Sequence, residues 1–212
     1  MNTTIAVITG NGKQAPYYTS VFAQLPGIAF FEQPEQVGGE FAMVVDMDFN
    51  GSAERIAALK KFLPQPVAVN SVLYTVAEIQ QPFIRFNGWP GMLQQKTVET
   101  YFGAEQENGA TQLFSALGWK CLPMPDIHGL SSARVVSMIV NEAYFAFEEG
   151  VSSKAEIDTA MKLGTNYPFG PFEWATKIGI SDIYALLKKL AETDKRYTPS
   201  ALLEKEAREN YA

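Results

Sequence analysis

The stretch Ile5-Ala6-Val7-Ile8-Thr9-Gly10-Asn11-Gly12-Lys13-Gln14-Ala15 decides how the chain reads. Four consecutive apolar residues suit a strand buried on both faces, and Thr9-Gly10-Asn11-Gly12 stops it in a turn. Gly10-x-Gly12-x-x-Ala15 directly after a strand is a pattern in which glycines let the backbone approach a pyrophosphate. The charge of that pyrophosphate sits at the N-terminus of the following helix. An acid about 20 positions on should then take the adenosine ribose hydroxyls, and Glu32 stands there at the end of the second apolar run. The same residues also suit an ordinary glycine-rich turn that binds nothing. Pro16 removes one amide donor, and Tyr17-Tyr18 bring bulk close to any phosphate.

Outward from that turn the pattern repeats. Gly27 to Phe31, Phe41 to Val45 and Val67-Ala68-Val69 read as further strands; Phe83 to Phe86, Thr97 to Phe102 and Trp119 to Leu122 read as later ones. Ser52 N-caps a helix with apolar residues at Ile56, Leu59, Phe62 and Leu63, which Pro64 stops. Thr111 to Leu117 forms another, with Gly118 past its end. Apolar strands separated by helices imply a parallel sheet covered on both faces. From Gly129 the period becomes helical. Leu130 to Glu149 is apolar round most of its circumference, so partners should cover it on several sides. Ser153-Lys154-Ala155-Glu156 is a capping box opening a helix that ends at Gly164. Pro171 opens the next, ending at Gly179; Ser181 caps one to about Ala191; Thr198-Pro199 starts the last.

Composition narrows the chemistry. The 212 residues are 47% hydrophobic and 19% charged with a net charge of −6, which suits a globular protein and argues against nucleic acid or an anionic membrane as partner. Cys121 is the one cysteine and His128 the one histidine, so an internal disulfide and Cys- or His-rich metal centres are excluded. Cys121, in an apolar run, reads as a small core residue. Asp46-Met47-Asp48 reads as either a metal-leaning acidic pair or solvated acids at a strand end. No apolar run approaches the roughly 20 residues of a membrane span. Met1-Asn2-Thr3-Thr4 lacks the basic region of a secretory leader, and a cytoplasmic location is expected.

A resemblance joins these elements. Glu142-Ala143, Glu149-Gly150-Val151, Ile157-Asp158-Thr159-Ala160-Met161, Gly164, Tyr167-Pro168-Phe169-Gly170-Pro171-Phe172-Glu173 and Gly179-Ile180 occur in one order and spacing. Together they resemble the C-terminal helical domain of the 3-hydroxyacyl-CoA dehydrogenase family. The Gly10-x-Gly12-x-x-Ala15 turn, Val44-Val45-Asp46, Asn70-Ser71 and Arg85-Phe86-Asn87-Gly88 resemble that family's NAD-binding domain more faintly. The resemblance implies an α/β fold: a reduced Rossmann-like parallel sheet domain, residues 1–126, followed by an all-α helical domain, residues 127–212.

It also implies a 3-hydroxyacyl-CoA dehydrogenase-like oxidoreductase, NAD as cofactor, a small-molecule or acyl-CoA substrate and a homodimer. The family's base is a histidine held by a carboxylate. Here Pro90 stands where that histidine belongs, while Glu99 matches the carboxylate. Ala133 replaces the substrate asparagine, Thr176 replaces an acid of the last motif, and Val72 replaces a serine, with Ser71 one residue earlier. From Gln33 to Glu40 only a short turn-forming stretch replaces a helical hairpin that helps hold CoA in the family. The candidate residues are thus Glu99, Ser71 and His128 for chemistry, the last as a displaced base paired with Glu99. Gly10, Gly12, Ala15, Glu32 and Asn70 are the candidates for the cofactor. The alternative is a catalytically silent dimeric binding or regulatory protein that retains the fold.

Overall fold

The computed structural model describes residues 4–209; Met1-Asn2-Thr3, on which the leader argument rests, lies outside the described residues. The chain divides into two compact units, Met1–Leu130 and Ser131–Ala212.

The first unit runs β1 (Ile5–Ile8), α1 (Ala15–Phe22), β2 (Ile28–Phe31), a 3-10 turn (Pro34–Gln36), β3 (Met43–Asp46), α2 (Ala53–Lys60), β4 (Val67–Asn70), α3 (Val76–Ile79), β5 (Ile84–Phe86), β6 (Thr97–Tyr101), α4 (Glu107–Ala116) and β7 (Lys120–Pro123). Its strands form one sheet in the order β2-β1-β3-β4-β5-β6-β7. Successive side chains on a strand point to opposite faces, so an apolar run with no alternation must be covered twice. Ile5, Val7, Met43, Val45, Ile84 and Phe86 pack on one side with Tyr18 and Phe22 of α1 and Phe114 of α4. Ala6, Ile8, Val44, Val67 and Val69 pack on the other with Leu59 of α2 and Ile79 of α3.

The sheet is mostly parallel, as expected, with one departure: β5 pairs with β6 antiparallel. A parallel neighbour needs a crossover, usually a helix, whereas the link from Phe86 to Thr97 carries none and turns the chain straight back. β7 follows α4 and returns parallel to β6.

The second unit is helical, as expected: α5 (Ser132–Glu148), α6 (Lys154–Thr165), α7 (Pro171–Ile178), α8 (Ile180–Ala191), a 3-10 turn (Lys195–Tyr197) and α9 (Ala201–Glu209). Several helix ends differ from the sequence reading. The N-cap of α8 is Gly179, not Ser181, whose hydroxyl instead donates to the Ala207 carbonyl. The last helix starts at Ala201 rather than at Thr198-Pro199, with the Ser200 hydroxyl accepting from the Leu203 amide. Helix α6 runs one residue past Gly164 and ends on left-handed Asn166, φ 55°. Helix α5 buries Ala133, Ser137, Val140, Asn141, Ala143 and Tyr144, whereas Val135 is 51% exposed, so it is not covered all round within this chain. The Asn141 amide holds α5 to the segment before α9: Nδ2 donates to the Thr198 carbonyl and Oδ1 accepts from the Ser200 amide, each at 2.9 Å. No helix among the described residues is long and apolar enough to cross a membrane.

Candidate functional site

In the first unit the chain leaves β1 towards β2 on one side, then returns to place β3 on the other. Sheets of this kind take ligands in the crevice outside the carboxyl ends of the strands, where the order reverses. The turn after β1 and the segment after β3 meet there.

Gly10 has φ +66°, a conformation that side chains rarely adopt. A β-carbon on it would stand 2.5 Å from Asp48 Oδ2 and 2.8 Å from Asp48 Cβ, so the Asp48 side chain already fills the space over the turn. Gly12 differs: nothing lies within 4 Å of where its β-carbon would be, and its backbone faces open space. Ala15 begins α1 behind Gln14, with Pro16 in the first turn. Glu32 is exposed just past the end of β2, its amide donating to Gln36 Oε1 at 2.9 Å. An open Gly12, a tight turn at Gly10 and an exposed acid beyond the neighbouring strand fit the adenosine and pyrophosphate part of a dinucleotide.

The two acids at the end of β3 differ: Asp48 is exposed, as one sequence reading has it, whereas Asp46 is not solvated. Asp46 is fully buried and accepts two bonds from Arg55, from Nε at 2.7 Å and Nη2 at 2.6 Å. Arg55 spends Nη1 on Gln33 Oε1 at 2.8 Å. Burial pushes the Asp46 carboxyl up while the Arg55 guanidinium opposes it. Among the described residues no group of three His, Cys, Asp or Glu side chains could hold a metal ion.

Asn70, placed with the cofactor by sequence, is engaged by the protein. Its Nδ2 lies 3.3 Å from the Tyr18 hydroxyl and 3.2 Å from the Met47 carbonyl, and its Oδ1 accepts from the Gly88 amide at 2.8 Å. It ties the ends of β3, β4 and β5 to α1. Gly88 is required by this contact, since a β-carbon there would meet Asn70 Cγ at 2.8 Å. Tyr17 reaches the same edge, accepting from the Gly91 amide at 3.0 Å, and burial raises its phenol above the ordinary value. The two tyrosines that follow the glycine turn therefore brace it against β4 and the segment after β5.

The candidates for chemistry do not converge. The Ser71 side chain is 2% exposed; its hydroxyl donates to the Tyr74 carbonyl at 2.8 Å, so it shapes a loop. His128 Nε2 stands 2.9 Å from Glu78 Oε2, and that carboxylate also caps α3 through the Thr75 amide. The expected pairing of His128 with Glu99 is thus replaced by His128 with Glu78, because Gly129 N–H bonds the Val72 carbonyl and holds the segment beside α3. Glu99 is half-buried on β6, where Asn87 Nδ2 approaches its Oε2 at 3.4 Å. Cys121 is half-buried and packs against the main core, and burial raises its thiol.

The sequence marks Asn87 and Gly88 only through the family resemblance, and their contacts with Glu99 and Asn70, like the loop-filling role of Asp48, are not read from it. Asn87-Gly88 follows an apolar strand and would have signalled a tight turn at the carboxyl edge. Nothing in the sequence marks Asp48 as lying over Gly10, since the contact joins residues far apart in the chain.

Comparison with known proteins bears on both units. Residues 129–212 match the model of the 3-hydroxyacyl-CoA dehydrogenase C-terminal domain. The chain is 42% identical over 92 residues to 3-hydroxyadipyl-CoA dehydrogenase of Escherichia coli K12, covering 42% of this chain and 19% of that protein. It is 31% identical over 160 residues to human mitochondrial hydroxyacyl-coenzyme A dehydrogenase, covering 74% of this chain and 44% of that one. The matched stretches therefore span less than half the length of either relative. The crystal structure of FadB2 from Mycobacterium tuberculosis superposes with a TM-score of 0.80 at 14% identity, covering 98% of this chain and 94% of that one, which shows a shared fold. Residues 129–212 are thus a C-terminal domain of the 3-hydroxyacyl-CoA dehydrogenase family, and the chain as a whole is similar to members of that family.

Proposed function

We propose that this chain is a 3-hydroxyacyl-CoA dehydrogenase-like oxidoreductase that binds NAD at the carboxyl edge of its sheet and takes a 3-hydroxyacyl-CoA or similar hydroxy acid. The observation that carries this is the turn at Gly10 and Gly12, tight at the first and open at the second, with Glu32 exposed beyond the adjacent strand. Gly10, Gly12 and Ala15 would hold the pyrophosphate at the start of α1, and Glu32 the adenosine ribose, its charge favouring NAD over a 2′-phosphorylated cofactor. Bound NAD would accept a hydride from the substrate carbinol carbon.

The hydroxyl proton must go to a group of the protein. Glu99 is the carboxylate that stands where the family carries one, with Asn87 orienting Oε2. A carboxylate is a weaker base than an imidazole, so turnover should be slow. Helix α5 with Val135 exposed fits a homodimer in which a second copy covers it. The lone Cys121 suits a reducing, cytoplasmic setting.

One observation favours a second reading, a catalytically silent dimeric binding or regulatory protein: Pro90 carries no titratable group, and His128 is committed to Glu78. Oxidation of NADH by acetoacetyl-CoA, followed by absorbance, separates the two. Turnover that Glu99→Gln abolishes supports the oxidoreductase. NADH binding without turnover at any pH selects the silent protein.

A further inference from the structure

The switch-point crevice contains a feature that a phosphate site would not be expected to hold: a carboxylate lying over the first glycine. Asp48 Oδ2 would stand 2.5 Å from a β-carbon on Gly10, so this acid occupies the space above the turn. It is poorly compensated there. Its cation is Arg55, whose Nη2 lies 3.9 Å away, longer than a hydrogen bond. The same guanidinium is already spent in a two-pronged pair with Asp46 and a third bond to Gln33. Two carboxylates thus share one guanidinium, which leaves Asp48 without a close counter-charge.

We propose that Asp48 is a specificity-determining residue that opposes phosphate-bearing ligands at the Gly10 turn, so that a dinucleotide enters only when the Asp48 side chain swings aside. This rests on the proposed NAD site. Asp48 has somewhere to go: its side chain is 48% exposed, in contrast to fully buried Asp46. Backbone contacts keep its starting position defined, because its amide donates to Asp46 Oδ1 at 3.0 Å. The opposition acts on the ligand's phosphates and leaves an uncharged nucleoside unaffected.

The test is titration of NADH, and separately of adenosine, into the full chain and into Asp48→Asn and Asp48→Ala, with circular dichroism to verify folding. Asp48→Asn retains the shape and removes the charge, so NADH should bind about tenfold more tightly. Asp48→Ala removes the bulk as well and should bind at least as tightly, while adenosine affinity changes by less than about twofold. Wild-type binding of NADH that neither variant improves would overturn the role of Asp48 and leave the NAD site standing. An equal gain for adenosine would also overturn it, since the phosphates would then not be what Asp48 opposes. Folded wild type and variants that all fail to bind NADH would overturn both.

Discussion

Arg85 is a cation with no exposed surface, on a strand in the middle of a sheet. Its Nε donates to the Ser71 carbonyl at 2.5 Å, Nη2 to the Val72 carbonyl at 2.9 Å and Nη1 to Asp126 Oδ1 at 3.0 Å. Asp126 in turn accepts from the Val76 and Ala77 amides at the start of α3, each at 3.0 Å. One side chain thereby fixes the loop after β4 and the segment that leads to His128. Burial pulls the guanidinium below its ordinary value, with Asp126 opposing. Removing one partner of a buried pair strands the other, so Arg85→Met should cost about 3–5 kcal/mol of stability by chemical denaturation. A loss below about 1 kcal/mol would contradict this account of the loop. The sequence marked Arg85 through its family resemblance, but its three acceptors lie on other segments and could not be read from local pattern.

Elements were more legible than residues. Buried strands announce themselves as apolar runs, and each predicted strand has a counterpart within a few residues. The reversed β6 was not legible, because direction depends on the link from Phe86 to Thr97 and not on the strand's own residues. Caps follow the same rule. Ser153-Lys154-Ala155-Glu156 is a local motif and forms as read, with the Ser153 hydroxyl accepting from the Glu156 amide and Glu156 Oε2 accepting from the Ser153 amide. Ser181, by contrast, lies inside the first turn of α8, whose N-cap position is Gly179.

The α6 cap has a measurable pH signature. The Ser153 and Ser152 hydroxyls and the Ser153 amide hold the Glu156 carboxyl at about 2, below its ordinary 4.5. A carboxyl lowered in the folded state stabilises when ionised, so this contribution is complete above about 4.5 and disappears as pH falls through about 2. Thermal denaturation of wild type and Glu156→Gln should therefore differ at pH 6, with the difference closing as pH falls to 2. A constant difference would show that the cap does not act through ionisation.

At the scale of the whole chain, the change from short apolar strands to helical spacing comes at Gly129. The observed division falls after Leu130. The helical unit matches the family's C-terminal domain, and the longer match to the human relative extends beyond it into the sheet unit. Corners such as Phe169-Gly170-Pro171 permit few replacements: Gly170 has the Asp158 carboxyl against it, and that carboxyl accepts the Phe172 amide at 2.8 Å. The carboxyl edge of the sheet is held by Tyr17, Tyr18, Asn70 and Asp48, which leaves Gly12 as its open backbone.

Gly12 offers the most direct test of the nucleotide crevice. Nothing lies within 4 Å of its missing β-carbon and its φ is not in the left-handed range, so Gly12→Leu should fold with an unchanged melting temperature. The added side chain would stand where a pyrophosphate must approach the backbone. NADH fluorescence titration should give saturable binding to the wild type and none to Gly12→Leu at the same concentrations. Equal affinity in the two proteins would contradict a nucleotide site at this turn.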